Sequence, residues 1–408
     1  MSPSRNAFHQ LLIVVLPLSV NQIIAWGTIY FSFTLFIEPM HRDLQWSQST
    51  IAGGISLALG VSAAAQLFVG RIISAWGGHV VMCIGALLGA LAMVFLSVND
   101  SLVGYYVAWA TLGFTIALCF FEPAFAVLLE ELPNQFEQAV STLVLLSGLS
   151  SALFLPLAHW LIQQLGWRDA LFFFGVFHLF SAVVSFLLID VGKRRAVHAE
   201  QLAIARSNLP CPEPARPLSD KYKEGRFWCL AFAFAFNTGA VTTLVIHLLG
   251  ILAASGFTST SALVAIAMIG PTQILGRLVQ TFLAGRSSFR SMTFVAFFLF
   301  LVGLVCLQLS MPSGWLIWLS ILLVGMGSGT LTIMRGTIVA LLFGRRDYAR
   351  VSNIIAAPSS LARAIAPLGA SLIVTTTIGY RGLGWIVCAI ASLALASITY
   401  SLIAYHDE

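Results

Sequence analysis

The chain has 408 residues, of which 59% are hydrophobic and only 9% charged, with a formal net charge of +5 and a mean hydropathy of +0.92. Soluble domains carry about a quarter of their residues as charges, so an assembly of soluble domains is excluded. Apolar runs of about 20 residues, each able to cross ~30 Å of hydrocarbon as a helix, recur along nearly the whole length and predict an all-α polytopic membrane protein.

Polar and glycine/proline clusters divide the chain into twelve predicted spans. The first, 10–38, is longer than the apolar core of a signal peptide and lacks a small-residue cleavage site. It stacks Gln22, Trp26 and Tyr30 at four-residue spacing, beside Asn21 and Gly27. Spans 47–69 and 78–98 are joined through "GRIISAWGGH" (70–79). Span 102–129 places Thr111, Thr115, Cys119 and Glu122 on one stripe. Spans 138–163 and 169–190 follow. The long polar stretch 191–225, with its prolines and charges, predicts a solvated linker.

Beyond the linker lie spans 226–254, 259–283, 290–311, 314–342, 350–377 and 383–404. Asn237 and Gly239 weaken the middle of the first of these, and His247 stands near its outer end. The predicted organisation is an N-terminal six-helix bundle (1–190), a cytoplasmic linker (191–225) and a C-terminal six-helix bundle (226–408). Tyr105, Tyr106, Trp315 and Trp318 open equivalent spans and read as anchors at the membrane interface.

Positive charge sets the expected orientation. With both termini cytoplasmic, fifteen of the 21 Lys and Arg residues fall on the inner side, three on the outer side and three (Arg277, Arg335, Arg363) within spans. The expected location is the cell inner membrane. The basic balance reflects loops beside anionic lipid, and nothing supports a nucleic-acid partner.

Three echoes in order mark an internal repeat. "GWRDALFF" (166–173) matches "GYRGLGWI" (379–386), "LPLAHWLIQQLGWR" (155–168) matches "APLGASLIVTTTIGYR" (366–381), and "VGRIIS" (69–74) matches "LGRLVQ" (275–280). Parallel repeats of six spans predict pseudo-two-fold halves with a cavity between them.

With "GRIISAWGGH", this organisation resembles the major facilitator superfamily. Gly70 and Gly77 fit the family's loop motif, but Ser74 and Ala75 stand where an Asp-Arg pair is usual. Within the superfamily, "WGTIYFSF" (26–33), "LQWSQS" (44–49), "FEPAFAVL" (121–128), "HLLGILAASG" (247–256), "GPTQILGR" (270–277) and "TIMRGTIVALLFG" (332–344) resemble the bacterial branch related to monocarboxylate transporters and oxalate/formate exchangers. The resemblance implies a twelve-helix carrier.

Absent motifs narrow the chemistry. There is no GxxxxGK[ST] loop, and the three lysines all lie in the linker, which argues against ATP-driven transport. No HExxH, His pair or cysteine cluster suggests a metal, and no GxSxG suggests hydrolysis. The six cysteines are scattered and read as packing residues. No cofactor, no metal and no enzymatic activity are expected. The expected partners are the lipid bilayer and a small, anionic substrate, and the expected state is a monomer.

Charge within the spans is the informative signal, because an ionised side chain at a helix centre costs on the order of 2.5–3.5 kcal/mol. Of sixteen acids only Glu122 falls well inside an apolar run, and Arg335 and Arg363 are its positive counterparts. Ser328, Thr332 and Arg335 share one helical face, as do Ser352, Ser359 and Arg363. Arg335 can hold a carboxylate through a planar fork of donors, with Arg363 adding field or a second contact. Glu122 is either the proton-exchanging group or the residue that neutralises Arg335. A permanent Glu122–Arg335 pair closing the inner side is the structural alternative.

Gln22, Trp26, Tyr30 and Asn237 are expected to line the substrate path, although Trp26 and Tyr30 could equally pack between helices. His247 is a second titratable candidate or an outer-gate contact. Arg277 fits a loop anchor better than a ligand. The function this implies is a secondary active transporter of a small organic anion, by proton coupling or exchange. An efflux pump for amphipathic drugs or metalloids, or an importer of a larger chelate such as a siderophore, is the alternative.

Overall fold

The computed structural model describes residues 3–206, 223–283, 288–310, 314–377 and 379–403. Among these, every regular element is helical. Twelve helical stretches are long and apolar enough to span a membrane: Leu11–Phe31, Gln48–Trp76, Gly78–Val98, Leu102–Glu131, Phe136–Leu165, Trp167–Ile189, Gly225–Ala254, Thr260–Leu283, Phe289–Leu309, Leu316–Phe343, Tyr348–Val374 and Gly379–Ile403. Each overlaps its expected run, and they are numbered here as spans one to twelve.

The chain divides into two compact units, Met1–Arg216 with Arg345–Ile354, and Pro217–Gly344 with Ile355–Glu408. The boundary therefore falls inside span eleven, and the first ten residues after Gly344 pack with the N-terminal unit. Within that unit the Tyr348 ring meets Phe136 edge-on at 5.6 Å. Gly70 lies so close to this segment that a Cβ there would sit 2.6 Å from the Ala349 carbonyl oxygen and the Arg350 Cα. The family motif's glycine is thus explained by backbone approach. Ser74, in the usual acid's place, donates at 2.9 Å to the Gly70 carbonyl of its own helix.

The repeat read from sequence recurs as packing. In the N-terminal unit span three lies along spans four and six, and span two along span four. In the C-terminal unit span nine lies along ten and twelve, and span eight along ten. Small residues bring these helices together, as membrane packing without a hydrophobic drive requires. A Cβ on Gly113 of span four would stand 2.6 Å from the Ala58 carbonyl of span two, and one on Gly276 of span eight 2.6 Å from the Met326 Cα of span ten. The echo "GWR"/"GYR" marks equivalent turns: Gly166 and Gly379 both adopt positive φ, 87° and 58°, a region glycine enters without a Cβ penalty.

Three expectations change. Residues 191–206, assigned to the linker, continue the helix Trp167–Arg206. Ala, Lys, Arg, Glu, Gln and Leu in this stretch are strong helix formers, and no proline interrupts them before Pro210. The proline-rich remainder, 207–222, lies outside the described residues. Span seven, expected to weaken at Asn237 and Gly239, is one unbroken helix, Gly225–Ala254. A Cβ added at Gly239 would make ordinary contact, 3.7 Å from the Cβ atoms of Ala362 and Ala366 of span eleven. Irregularity sits instead in spans one and four, described below. Finally, Tyr105 is no interfacial anchor, because its buried hydroxyl donates at 2.6 Å to the Ile51 carbonyl. Trp315 and Trp318 are exposed, as anchors should be.

Candidate functional site

In the N-terminal unit the candidate residues gather around two helix defects that face each other. Span one is α-helical to Ala25, then turns as a π-helix over Trp26–Phe31, closed by the Ser32 N–H donating five residues back to the Gly27 carbonyl at 3.0 Å. Such one-turn widenings are frequent at functional sites. Span four stops at Cys119, passes through Phe120 with φ −75° and ψ −157°, and resumes at Phe121–Glu131.

Pro123 accounts for the break. Proline has no N–H for the carbonyl four residues earlier, and its ring collides with that carbonyl. Here the carbonyl is that of Cys119. In hydrocarbon such a group must find a partner, and Gln22 of span one supplies it. The fully buried Gln22 donates from Nε2 to Cys119 O at 2.7 Å and to Phe120 O at 3.2 Å. Its Oε1 has no protein partner.

Aromatic rings close the same junction. Trp26 lies 4.2 Å from the Phe120 ring and 5.3 Å from Phe121, and meets Tyr30 edge-on at 5.5 Å. Trp26 and Tyr30 are half-buried. Glu122, 4% exposed, occupies the first turn of the resumed helix, where a carboxylate meets the positive end of the helix dipole. The structure thus places Gln22 and Trp26, with Tyr30 beside it, against the break that Glu122 closely follows. It also divides the polar stripe expected on span four, since the break separates Thr111, Thr115 and Cys119 from Glu122. Asn21 faces elsewhere, bonded to Ser181 and Ser185 of span six at 2.8 and 2.9 Å.

In the C-terminal unit, Arg335 is half-buried and is the sole charged residue of the helix Leu316–Phe343. One and two turns before it, Thr332 bonds the Ser328 carbonyl at 3.1 Å, and Ser328 accepts from Gln273 Nε2 of span eight at 3.3 Å. Asn237 is buried with no protein partner for Oδ1. The Gly239 contact with Ala362 brings its level on span seven beside Arg363, which is half-buried. Ser359, one turn before Arg363, is fully buried, and its hydroxyl also lacks a protein partner. His247 sits with Nε2 3.4 Å from the Pro367 carbonyl and its ring 6.1 Å from Tyr380, so it ties spans seven, eleven and twelve. Arg277 lies within the helix Ser259–Leu283, well before its end.

Three features escaped the sequence reading. The break at Phe120 was announced by Pro123. His79, within the quoted loop motif, forms a buried pair with Glu131, Nε2 to Oε1 at 2.6 Å. Arg168 of "GWR" gathers Asp43 at 3.2 Å, Asp100 and the carbonyls of Ser97 and Asn99. Among the described residues no group of three or more His, Cys, Asp or Glu is placed to hold a metal, and the five described cysteines are unpaired thiols.

Twelve apolar helices, with charged residues lodged inside the spans, define a polytopic membrane protein. The family model described as Major Facilitator Superfamily matches residues 18–333, and the chain belongs to that superfamily. It is therefore a transporter and not an enzyme. Among curated proteins it is 25% identical over 221 residues to monocarboxylate transporter 11 of Mus musculus, covering 53% of this chain and 46% of that one. The human monocarboxylate transporter 11 is 31% identical over 137 residues, covering 33% and 29%. The matched part spans less than half the length of these relatives.

Solved structures share the fold. The proton:xylose symporter XylE bound to 6-bromo-6-deoxy-D-glucose superposes with a TM-score of 0.76 at 12% identity, covering 95% of each chain. The human organic anion transporter MFSD10 (TETRAN) gives 0.66 at 15% identity, covering 98% of this chain and all of that one.

Proposed function

We propose that this chain is a secondary active transporter of a small organic anion, a carboxylate, working by alternating access with proton coupling or anion exchange. The observation that carries the reading is Arg335, the lone charge in a 28-residue apolar helix. Keeping a guanidinium there is costly, and a planar pair of N–H donors matches a carboxylate. Arg363, Asn237 and Ser359 supply further polar groups in the same unit. The names of the relatives, a monocarboxylate transporter and an organic anion transporter, agree with this chemistry.

In the N-terminal unit Trp26 and Tyr30 offer the apolar body of the substrate a ring surface, and Glu122 exchanges the proton. The concentration of Lys and Arg in the loops on one side supports cytoplasmic termini in an inner membrane.

The test is uptake by the purified protein in liposomes, with a thermal-shift screen of carboxylates, amphipathic drugs and chelates to select the solute. Arg335→Ala is expected to insert normally and to lose both carboxylate stabilisation and uptake. Uptake with unchanged affinity in that variant rejects the anion reading and favours the drug-efflux alternative, for which the aromatic cluster around Trp26 would serve as the binding wall. Glu122→Gln is expected to lose proton-driven accumulation while counterflow exchange persists.

A further inference from the structure

The contact between Gln22 and span four has a consequence for the proton-exchanging group. Pro123 removes the one backbone donor that an unbroken helix would offer the Cys119 carbonyl. That carbonyl is held from another helix, 97 residues away in sequence, by the 2.7 Å bond from Gln22. The same amide reaches the Phe120 carbonyl at 3.2 Å, so one side chain grips both carbonyls at the break. Two residues further on stands Glu122, in the first turn of the resumed helix. The direction in which that helix leaves the break sets where its carboxyl lies.

We propose that Gln22 is a positioning residue for Glu122: by holding the carbonyl that Pro123 orphans, it fixes the break in span four and with it the place of the Glu122 carboxyl. The inference rests on the reading of Glu122 as the proton-exchanging group. The Trp26 ring on Phe120 and Phe121 extends the same grip, so that a substrate body displacing Trp26 pulls on the residues flanking Glu122. Of the other titratable side chains around the break, Glu130 is exposed, eight residues beyond Glu122 on the same helix, Tyr30 is half-buried against Trp26, and three are engaged locally. Glu131 is engaged with His79, His178 with Thr28, and the Cys119 thiol with the Met82 carbonyl.

Span ten, the repeat equivalent of span four, provides the contrast. It carries Gly336 where span four has Pro123, and it runs unbroken from Leu316 to Phe343 past Arg335. The charge there needs no such holder, because its helix keeps its own hydrogen bonds.

The experiment is a double-variant cycle with two readouts that need no transported solute. Thermal unfolding of the full chain in detergent is measured for the native protein, Gln22→Leu, Pro123→Ala and the pair. Pro123→Ala restores the N–H that Cys119 lacks. The drop in Tm caused by Gln22→Leu is therefore expected to fall by more than half in the Pro123→Ala background. Equal drops in both backgrounds overturn the proposal, and so does a pair that cannot fold. If Gln22→Leu alone does not fold but the pair does, the coupling is established.

The second readout is an infrared pH titration that follows the protonated-carboxyl band lost in Glu122→Gln. Displacing the carboxyl is expected to move the midpoint of that band by about one pH unit or more in Pro123→Ala and in the pair. Gln22→His, which keeps a ring N–H donor, is expected to stay near the native midpoint. A midpoint that no variant moves overturns the positioning role even if the stabilities are coupled. Failure of Glu122→Gln to remove any band instead rejects Glu122 as the proton-exchanging group and leaves the Gln22–Pro123 coupling to stand on the unfolding data.

Discussion

The hydroxyl of Thr28, inside the π-helical turn of span one, lies 2.8 Å from Nε2 of His178 on span six, and both residues are buried. The same hydroxyl donates to the Ile24 carbonyl at 2.8 Å, so its hydrogen is spent and the imidazole N–H is the donor to Thr28. Thr28→Val keeps the shape but leaves that buried N–H without its acceptor, a cost of about 1–3 kcal/mol. Thr28→Ser retains the acceptor. Thermal unfolding should therefore rank the native protein and Thr28→Ser together and Thr28→Val clearly below them. Equal stability of Val and Ser at this position would show that the bond contributes nothing.

Sequence reasoning reached the twelve spans because hydrophobic length is decided by the bilayer and is insensitive to tertiary detail. It singles out Glu122, Arg335 and Arg363 as candidates for the same reason, since a charge in an apolar run is conspicuous without a partner in view. Partnership itself was not legible. Gln22 was read as one step of a ladder with Trp26 and Tyr30, whereas its amide is turned to a carbonyl freed by a proline 101 positions further along the chain. The π-helical turn has no one-residue signature, because it depends on Gly27 and Ser32 meeting Phe154 of span five. At residues 191–206 the error ran the other way. Charge there reads as loop, whereas the strong helix formers of the stretch favour the extension of span six.

The His79–Glu131 pair joins two unfavourable placements. His79 lies in the first turn of span three and Glu131 in the last turn of span four, each at the helix end whose dipole disfavours the charged form of such a side chain. Both side chains are nearly inaccessible, at 11% and 2% exposure, with the contact at 2.6 Å. His79→Ala takes this hydrogen-bond partner from a buried carboxyl group and is expected to cost about 1–3 kcal/mol. Glu131→Gln keeps an acceptor oxygen for the imidazole and should lose less. Denaturation of the two variants side by side gives the ordering, and a His79→Ala protein as stable as the native one refutes it.

Glycines in the spans fall into two classes with opposite expectations. A Cβ on Gly276 would stand 2.6 Å from the Met326 Cα, so the backbones of spans eight and ten must separate to admit it. Gly276→Ala is expected to cost about 1–3 kcal/mol through overpacking. Gly60 and Gly270 have open space where a Cβ would go, and in a helix alanine is better than glycine by roughly 0.5–1 kcal/mol. Gly60→Ala and Gly270→Ala should thus unfold at the native temperature or slightly above it. Matching losses at all three sites would contradict the close approach of spans eight and ten.

Arg168 and Arg381 occupy equivalent places in the repeat but differ in what they touch. Arg168 reaches Asp43, Asp100 and two carbonyls, and its guanidinium carbon lies 4.3 Å above the Trp167 ring, whose Nε1 donates to the same Asp43 oxygen at 3.2 Å. Arg381 is exposed. The ion pairs at Arg168 are partly open to solvent, so each contributes little on its own, while the stacking on Trp167 adds about 0.5–1 kcal/mol. Together they place Arg168→Ala at a loss of about 1–2 kcal/mol, part of which salt should screen. Arg168→Lys should recover only a fraction, because an ammonium cannot fork between two carboxylates while lying flat on a ring. Arg381→Ala is expected to leave the unfolding temperature unchanged. Unfolding curves for the three variants at low and high salt decide the matter, and equal effects at positions 168 and 381 would mean that the cluster around Arg168 adds no stability.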